Sequence, residues 1–333
     1  MRVLVTGGTG FVGSHAVEAL CRAGHEVRLL ARSLERVKRV FEDRAVDVSD
    51  VAVGDMADAE AVARALAGCD AALHAAATMY GGEAVLATNL AGVRNVVGAA
   101  ERMGLDPVVY ISTIAVTFPP PGPVIRVGDP LASLETTYGR SKVEGERFVR
   151  ELQARGAPIS IVYPSGVYGP DDPVYGETLK GLRARLRWGW FMTTGGMVCV
   201  DVRDLAGIIT AALEPGKGPR RFMAGGHFRT WAEEADLCEA LTGCRVRRYR
   251  VPGPALRGIG RTLDLLKKLV AFEYPLTHEA AQFVTRSVPC DSRATVEELG
   301  VEFRPLEETL ADSIRWLYRS GHVDARYVGR LGE

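Results

Sequence analysis

The sequence predicts an α/β protein built on a doubly wound parallel sheet, followed by a smaller, mostly helical C-terminal part. Three observations carry that prediction. Short apolar runs alternate with helical patterns up to about residue 165; a glycine-rich stretch, "TGGTGFVG" at 6–13, falls between the first strand pattern and the first helix pattern; and the cadence loosens after about residue 226. Strand, helix, strand at this spacing means parallel strands joined by right-handed crossovers, since antiparallel neighbours need only a short turn.

The elements follow in order. "RVLVT" at 2–6 is a strand, Phe11 to Arg22 a helix, "EVRLL" at 26–30 a strand, and a helix follows Ser33. "VAVGD" at 51–55 precedes a helix near Ala59 to Leu66, and "AALHAA" at 71–76 precedes a long helix near Glu83 to Met103. "PVVYIS" at 107–112, a helix carrying Tyr138 and "ISIVYP" at 159–164 complete the run. Two Pro- and Gly-rich stretches, 118–130 and 168–177, follow predicted strands and are candidate active-site loops, because ligands of open α/β sheets bind outside the carboxyl ends of strands. The expected division is a dinucleotide-binding part, 1–165, completed by about 198–225, and a substrate-binding part formed by 166–197 and 226–333.

Composition excludes several classes. The 333 residues suffice for one large or two modest domains with a buried core. Lys plus Arg and Asp plus Glu stand at 41 each, so no global charge points to nucleic acid or to a membrane surface. No apolar run reaches the roughly 18 residues of a membrane span. The start "MRVLVTGGTG" breaks into glycines before a signal-peptide core could form, which makes the cytoplasm the expected location. The six cysteines have no CxxC pair or metal-ligand spacing, which predicts reduced structural thiols and no metal site.

Gly7, Gly10 and Gly13 are spaced GxxGxxG immediately after the first strand. Glycines there let the backbone turn sharply and approach a pyrophosphate resting on the amide-rich helix terminus, so a Rossmann-type dinucleotide site is expected rather than a bare turn. The second strand ends about 20 residues past the glycines, where NAD-binding folds place an acid for the adenosine ribose. Ala31 and Arg32 stand there, with Ser33 next. A guanidinium with no carboxylate beside it suits a 2′-phosphate, so NADP is the expected cofactor and NAD the second choice. The alternative for Arg32 is a solvated residue at a strand end. In "TTYGRSKVEGERFV" at 136–149, Tyr138 and Lys142 lie four residues apart, so one helix face carries both.

Taken together, these stretches resemble the extended short-chain dehydrogenase/reductase family of the NAD-dependent epimerase/dehydratase superfamily. That family includes dihydroflavonol reductases, 3β-hydroxysteroid dehydrogenases and nucleotide-sugar epimerases and dehydratases. The resemblance extends through "GDMAD" at 54–58, "HAAA" at 74–77, "ATNLAGVRNVV" at 87–97, "YIST" at 110–113, "YGRSK" at 138–142 and "PSGVYGP" at 164–170. "VCVDVRDLA" at 198–206 and "DSRATVEELGVEFRPLEETL" at 291–310 carry it almost to the end of the chain.

The resemblance implies a catalytic set of Thr113, Tyr138 and Lys142. Thr113 would bond the substrate oxygen, and Tyr138 would exchange a proton with it while hydride moves between carbon and nicotinamide. Lys142 would hold the nicotinamide ribose and lower the tyrosine pKa: a cation about 5 Å away at an effective dielectric near 20 is worth roughly 3 kcal/mol, or about 2 pKa units. Thr9, Phe11 and Val12 would join the glycines at the cofactor, Asp55 and Met56 would meet adenine, and Ala75, Ala76 and Asn89 would lie beside it. Pro164, Ser165 and Val167 would lie near the nicotinamide. Asp55 could equally serve a turn or a helix cap, and Asp201 and Asp204 are expected to organise a loop and cap a helix.

Departures from the family narrow the reaction. Ile114 and Ala115 replace the acidic pair that dehydratases carry after the catalytic Thr, which removes the agents of water loss. Tyr163 stands where arginine often precedes the proline. Tyr168, Tyr175, Trp188, Trp190, Phe191 and Met192 could line a pocket for an apolar or aromatic ketone, or form core; Arg183, Arg185 and Arg187 could meet a diphosphate, or water. Arg245 to Lys268 holds eight cations against one acid, Asp264, which reads as a solvated helix face or a surface for lipid or an acidic substrate.

The leading expectation is an NADP-dependent carbonyl reductase or alcohol dehydrogenase with a small-molecule substrate and no nucleic-acid partner. The rivals are an NAD-retaining nucleotide-sugar epimerase and a non-catalytic NADP-binding redox sensor, and a homodimer stays open.

Overall fold

The computed structural model describes residues 1–44, 46–79, 81–267 and 278–332. Its centre is a seven-stranded sheet in which every neighbouring pair is parallel. The chain enters through β1 (Arg2–Thr6), α1 (Phe11–Arg22), β2 (Glu26–Ala31), α2 (Leu34–Phe41), β3 (Val51–Val53) and α3 (Ala59–Leu66). It continues through β4 (Ala71–His74), α4 (Ala84–Arg102), β5 (Val108–Ile111), α5 (Thr137–Ala154) and β6 (Ile159–Pro164). These elements match the sequence reading to within a residue or two.

Alternation along each strand feeds two cores. In β1, Val3 and Val5 face one side with α1 and α2, while Leu4 faces the other with α3, α4 and α5. The strand order β3-β2-β1-β4-β5-β6, closed on the β6 side by a later strand at Arg220–Ala224, reverses between β1 and β4, which opens a crevice at their carboxyl ends.

After β6 the chain leaves the main sheet and returns. β7 (Gly166–Tyr168), α6 (Glu177–Trp188), β8 (Trp190–Met192) and β9 (Gly196–Asp201) come first; α7 (Val202–Ala211) and β10 (Arg220–Ala224) then rejoin the sheet beside β6. β11 (His227–Thr230), α8 (Trp231–Thr242), β12 (Arg248–Arg250), α9 (Gly253–Lys267), α10 (His278–Arg286), α11 (Arg293–Leu299), α12 (Leu306–Arg319) and α13 (Ala325–Val328) follow. β7, β9 and β11 form a second small sheet, so of the 198–225 stretch only α7 and β10 complete the main one. A third apolar cluster gathers α6, α8 and α12 around Trp190. All six cysteines are free, and no helix among the described residues is long and apolar enough to cross a membrane.

Candidate active site

A cleft of about 640 Å³ opens along the carboxyl ends of the sheet, from the β2–α2 turn to the start of α5. Its floor is the glycine turn. Gly7 sits at φ +77°, and a Cβ there would lie 2.6 Å from the Ala76 amide nitrogen; a Cβ on Gly13 would lie 2.1 Å from the Gly7 carbonyl oxygen. Both positions therefore exclude any side chain. α1 also starts without a side-chain cap and without an acid in its first turn, whereas Asp58, Thr136, Asp201 and Thr230 cap α3, α5, α7 and α8. An uncapped amide terminus over a close-approach turn has the donor set a pyrophosphate takes, so the residues present fit a dinucleotide.

Thr9, Gly10, Phe11 and Val12 line the same floor, with Ala75 and Ala76 beyond β4. At the β2 end, Arg32, Ser33, Asp55 and Met56 line the cleft. Arg32 is three-quarters exposed, with its Nη1 4.0 Å from Asp55 Oδ2. Ser33 caps α2 by accepting from the Arg36 amide at 3.2 Å. Asp55 accepts from the Ala57 amide at 2.9 Å, so it serves its own turn as well as facing the cleft. Pro164, Ser165 and Val167 line the far wall. Asn89 alone of the predicted set stays behind the wall: buried, it brackets the Thr78 backbone at 2.8 and 2.9 Å and donates to Ser141 Oγ on α5 at 2.9 Å.

Thr113, Tyr138 and Lys142 all line the β5–α5 end of the cleft. Two adjacent rungs set their register. Lys142 Nζ donates to the Ile111 carbonyl at 2.9 Å, and one turn along α5 the fully buried Glu146 accepts from Ser112 Oγ. Thr113 is the next residue on β5's exit, and its Oγ1 accepts from the Ala115 amide at 3.2 Å. Behind the rungs, Tyr163 Oη and Arg150 Nε both donate to Glu146 Oε1 at 2.7 Å. Arg150, a turn further along α5, also donates to Tyr163 Oη at 3.3 Å.

The electrostatics correct one expectation. Burial, not the lysine, sets the Tyr138 phenol and pushes it up to about 12 in the field of the protein's own groups. Burial also lowers Lys142 to about 8, against a raising influence from Glu146. The ammonium gives one of its three protons to the Ile111 carbonyl and lies 5.5 Å from the Tyr110 ring centroid. His74, buried beneath the site and bonded to Thr6 Oγ1 at 2.7 Å, is held neutral, its pKa lowered by burial to about 3.

The candidate substrate residues resolve differently from the pocket reading. Tyr168 is buried and accepts from Arg185 Nη2 at 2.9 Å; Arg185 also pairs with the buried Glu234, which takes the Trp190 indole N–H at 2.9 Å. Tyr175 stacks on His322 at 3.7 Å, Arg183 Nε donates to the His322 carbonyl, and Arg187 lies over the exposed Trp188. None of these, nor Phe191 or Met192, lines the cleft. The 118–130 stretch does not line it either: Phe118 stacks on Phe283 and Ile125 bridges to Cys290, tying it to the C-terminal part. The 168–177 stretch does, through Asp172, Val174, Gly176 and Glu177. Asp201 caps α7 and Asp204 holds Arg304 at 2.8 Å, as expected.

Sequence reasoning missed Arg36 and Ser112, and placed Asp172 only as part of the 168–177 loop; all three line the cleft. Arg36 had a signal, since the Ser33 cap places it on the first turn of α2, next to the predicted Arg32 and Ser33.

Comparison with known proteins agrees with this layout. The family profile described as "NAD dependent epimerase/dehydratase family" matches residues 3–225. The 4-hydroxy-2-methyl-3-oxo-4-farnesyl-3,4-dihydroquinoline-1-oxide ketoreductase of Stigmatella aurantiaca is 26% identical, over 95% of this chain and 96% of its own. The 3-beta-hydroxysteroid dehydrogenase of Mycolicibacterium neoaurum is 34% identical over 51% of this chain and 49% of its own. The UDP-glucose-4-epimerase structure from Stenotrophomonas maltophila with bound NAD and formylated UDP-arabinopyranose shares the fold at a TM-score of 0.77, with 21% identity over 96% of this chain and 98% of that one. The chain belongs to the NAD dependent epimerase/dehydratase family and is an oxidoreductase of the extended short-chain type.

Proposed function

We propose that the protein is an NADP(H)-dependent carbonyl reductase or alcohol dehydrogenase acting on an uncharged, largely apolar or aromatic ketone or its alcohol. One observation carries the reading. Among the described residues lining the cleft, the cations are Arg32 and Arg36 at one end and Lys142 at the other, while Ala77, Thr78, Met79 and Thr88 on the open side bear no charge. The other charged groups of the lining are the carboxylates Asp55, Asp172 and Glu177. A sugar nucleotide would bring a diphosphate to a wall without a cation, whereas a neutral ketone meets no penalty there. Arg32 follows a β2 end that carries no acid and meets Asp55 only at 4.0 Å, so its exposed guanidinium suits the 2′-phosphate of NADP.

The cofactor, when bound, would supply or accept the hydride. Thr113 Oγ1 would bond the substrate oxygen, and Tyr138 Oη would give or take its proton. Tyr138 is protonated at neutral pH, the state that ketone reduction requires of its proton donor. Lys142 would hold the ribose hydroxyls next to the phenol. The division of the chain into a dinucleotide part, 1–165 with α7 and β10, and a substrate part follows from the same reading.

Purified protein is tested with NADPH and NADH against aromatic, steroid and sugar-nucleotide ketones. Turnover of a neutral ketone with NADPH is expected, lost in Tyr138→Phe with cofactor binding retained; Arg32→Ala weakens NADPH far more than NADH. Tightly held NAD with interconversion of a sugar nucleotide would establish the epimerase reading in its place, and cofactor binding with no turnover of any ketone would establish the redox sensor.

A further inference from the structure

We propose that the β8–β12 ribbon, with the exposed residues of α9 that follow it directly in the chain, is a docking surface for an anionic lipid bilayer, on which the protein rests without spanning it. The proposal stands independently of the substrate. β8 and β12 pair in parallel, with Phe191 opposite Tyr249 and their rings 6.2 Å apart. Trp190 turns inward to Glu234, but the neighbouring aromatics do not: Trp188 at the end of α6, Phe191 and Tyr249 are 59%, 48% and 43% exposed. Three large aromatics standing in solvent at one corner are unusual for a surface with no partner.

Cations outnumber acids around them. Arg245, Arg247 and Arg250 are exposed and form no ion pair with the described residues, whereas Arg248 between them is tied to Asp236 and Glu239 at 2.7 Å each. Arg187 lies over the Trp188 ring. α9 continues the pattern. Leu256 and Gly260 are buried, while Ile259, Leu265 and Leu266 are 50%, 58% and 43% exposed alongside the exposed Arg261. The segment's one acid, Asp264, accepts from the His278 amide at 2.7 Å, which directs it to the start of α10.

Aromatic rings with polar edges favour the interfacial zone of a bilayer, leucine and isoleucine the acyl boundary below it, and arginine the phosphates above. An anionic surface is the complement of the unpaired guanidiniums. Nucleic acid would satisfy the arginines and leave Ile259, Leu265 and Leu266 facing phosphates, so lipid accounts for both halves of the pattern.

The test is sedimentation of the whole protein with vesicles of phosphatidylcholine, with and without phosphatidylglycerol, at low and high salt. Binding to the anionic vesicles, weakened by salt, is expected. A triple Arg245→Gln, Arg247→Gln, Arg250→Gln variant should bind them about a hundredfold more weakly. A triple Trp188→Ser, Phe191→Ser, Tyr249→Ser variant should lose about tenfold or more. Unfolding midpoints equal to the parent's verify that the variants are folded. Equal sedimentation with neutral and anionic vesicles, unchanged binding by both variants, or binding to duplex DNA with none to vesicles would each overturn the proposal.

Discussion

Replacing Glu146 is the most direct test of how the catalytic end of the cleft is held. Its carboxylate is fully buried and accepts from Ser112, Tyr163 and Arg150. Removing one partner of a buried ion pair costs about 3–5 kcal/mol. Arg150 keeps 19% of its side chain exposed and recovers some hydration, which places this contribution at the low end, about 3 kcal/mol. Ser112 and Tyr163 each lose a buried acceptor, at about 1 kcal/mol apiece. Glu146→Ala should therefore lose about 5 kcal/mol, a large share of the roughly 5–15 kcal/mol that holds an ordinary domain. Glu146→Gln keeps the shape and two of the bonds and should lose about 1–2 kcal/mol. Urea unfolding followed by circular dichroism measures both. In a double-mutant cycle, Tyr163→Phe should cost about 1 kcal/mol in the parent and close to nothing after Glu146→Ala. A Glu146→Ala variant within 1 kcal/mol of the parent, or additive effects in the cycle, would refute the reasoning.

Three further outcomes follow from the geometry. Gly13→Ala puts a methyl 2.1 Å from a backbone oxygen, so the turn must shift and dinucleotide affinity should fall about tenfold or more, read by fluorescence titration. His74 and His15 have folded pKa values near 3 and 4 against the usual 6.5, so the unfolded chain binds more protons between those values and stability falls as pH drops from about 6.5 to 4. At pH 5 each should contribute a loss of about 2 kcal/mol, visible as a lower urea midpoint, and His15→Gln should roughly halve the slope. Finally, turnover that draws on the Lys142 ammonium should decline as pH rises through about 8, measured as kcat/KM against pH.

The main sheet was legible because its strands are contiguous apolar runs punctuated by glycine turns and helix caps, all local signals. β7, β9 and β11 were not. Gly166–Tyr168 and His227–Thr230 are short, the second is polar, and both find their partner in the 196–201 strand only through distant pairing. The same limit governed the aromatics: Trp188 and Trp190 sit two apart, yet one is exposed and the other buried, because β8 begins between them. At the site, spacing revealed that Tyr138 and Lys142 share a face. It could not reveal that burial dominates the phenol or that Ile111 takes the ammonium, since both depend on what β5 brings alongside.

The excursion of the chain into the small sheet and back has a practical consequence for anyone dividing the molecule. A fragment ending near 165 would carry six strands and look self-sufficient, yet it would lack β10 along the β6 edge and the α7 side chains Leu205, Ile208 and Ile209 that seal one core. Such a piece would offer an open strand edge and a bare apolar floor to its own copies, and clumping rather than a working half would result. Swapping specificity between relatives is better done by exchanging the 166–197 excursion and the residues after 226 together, leaving 198–225 in place.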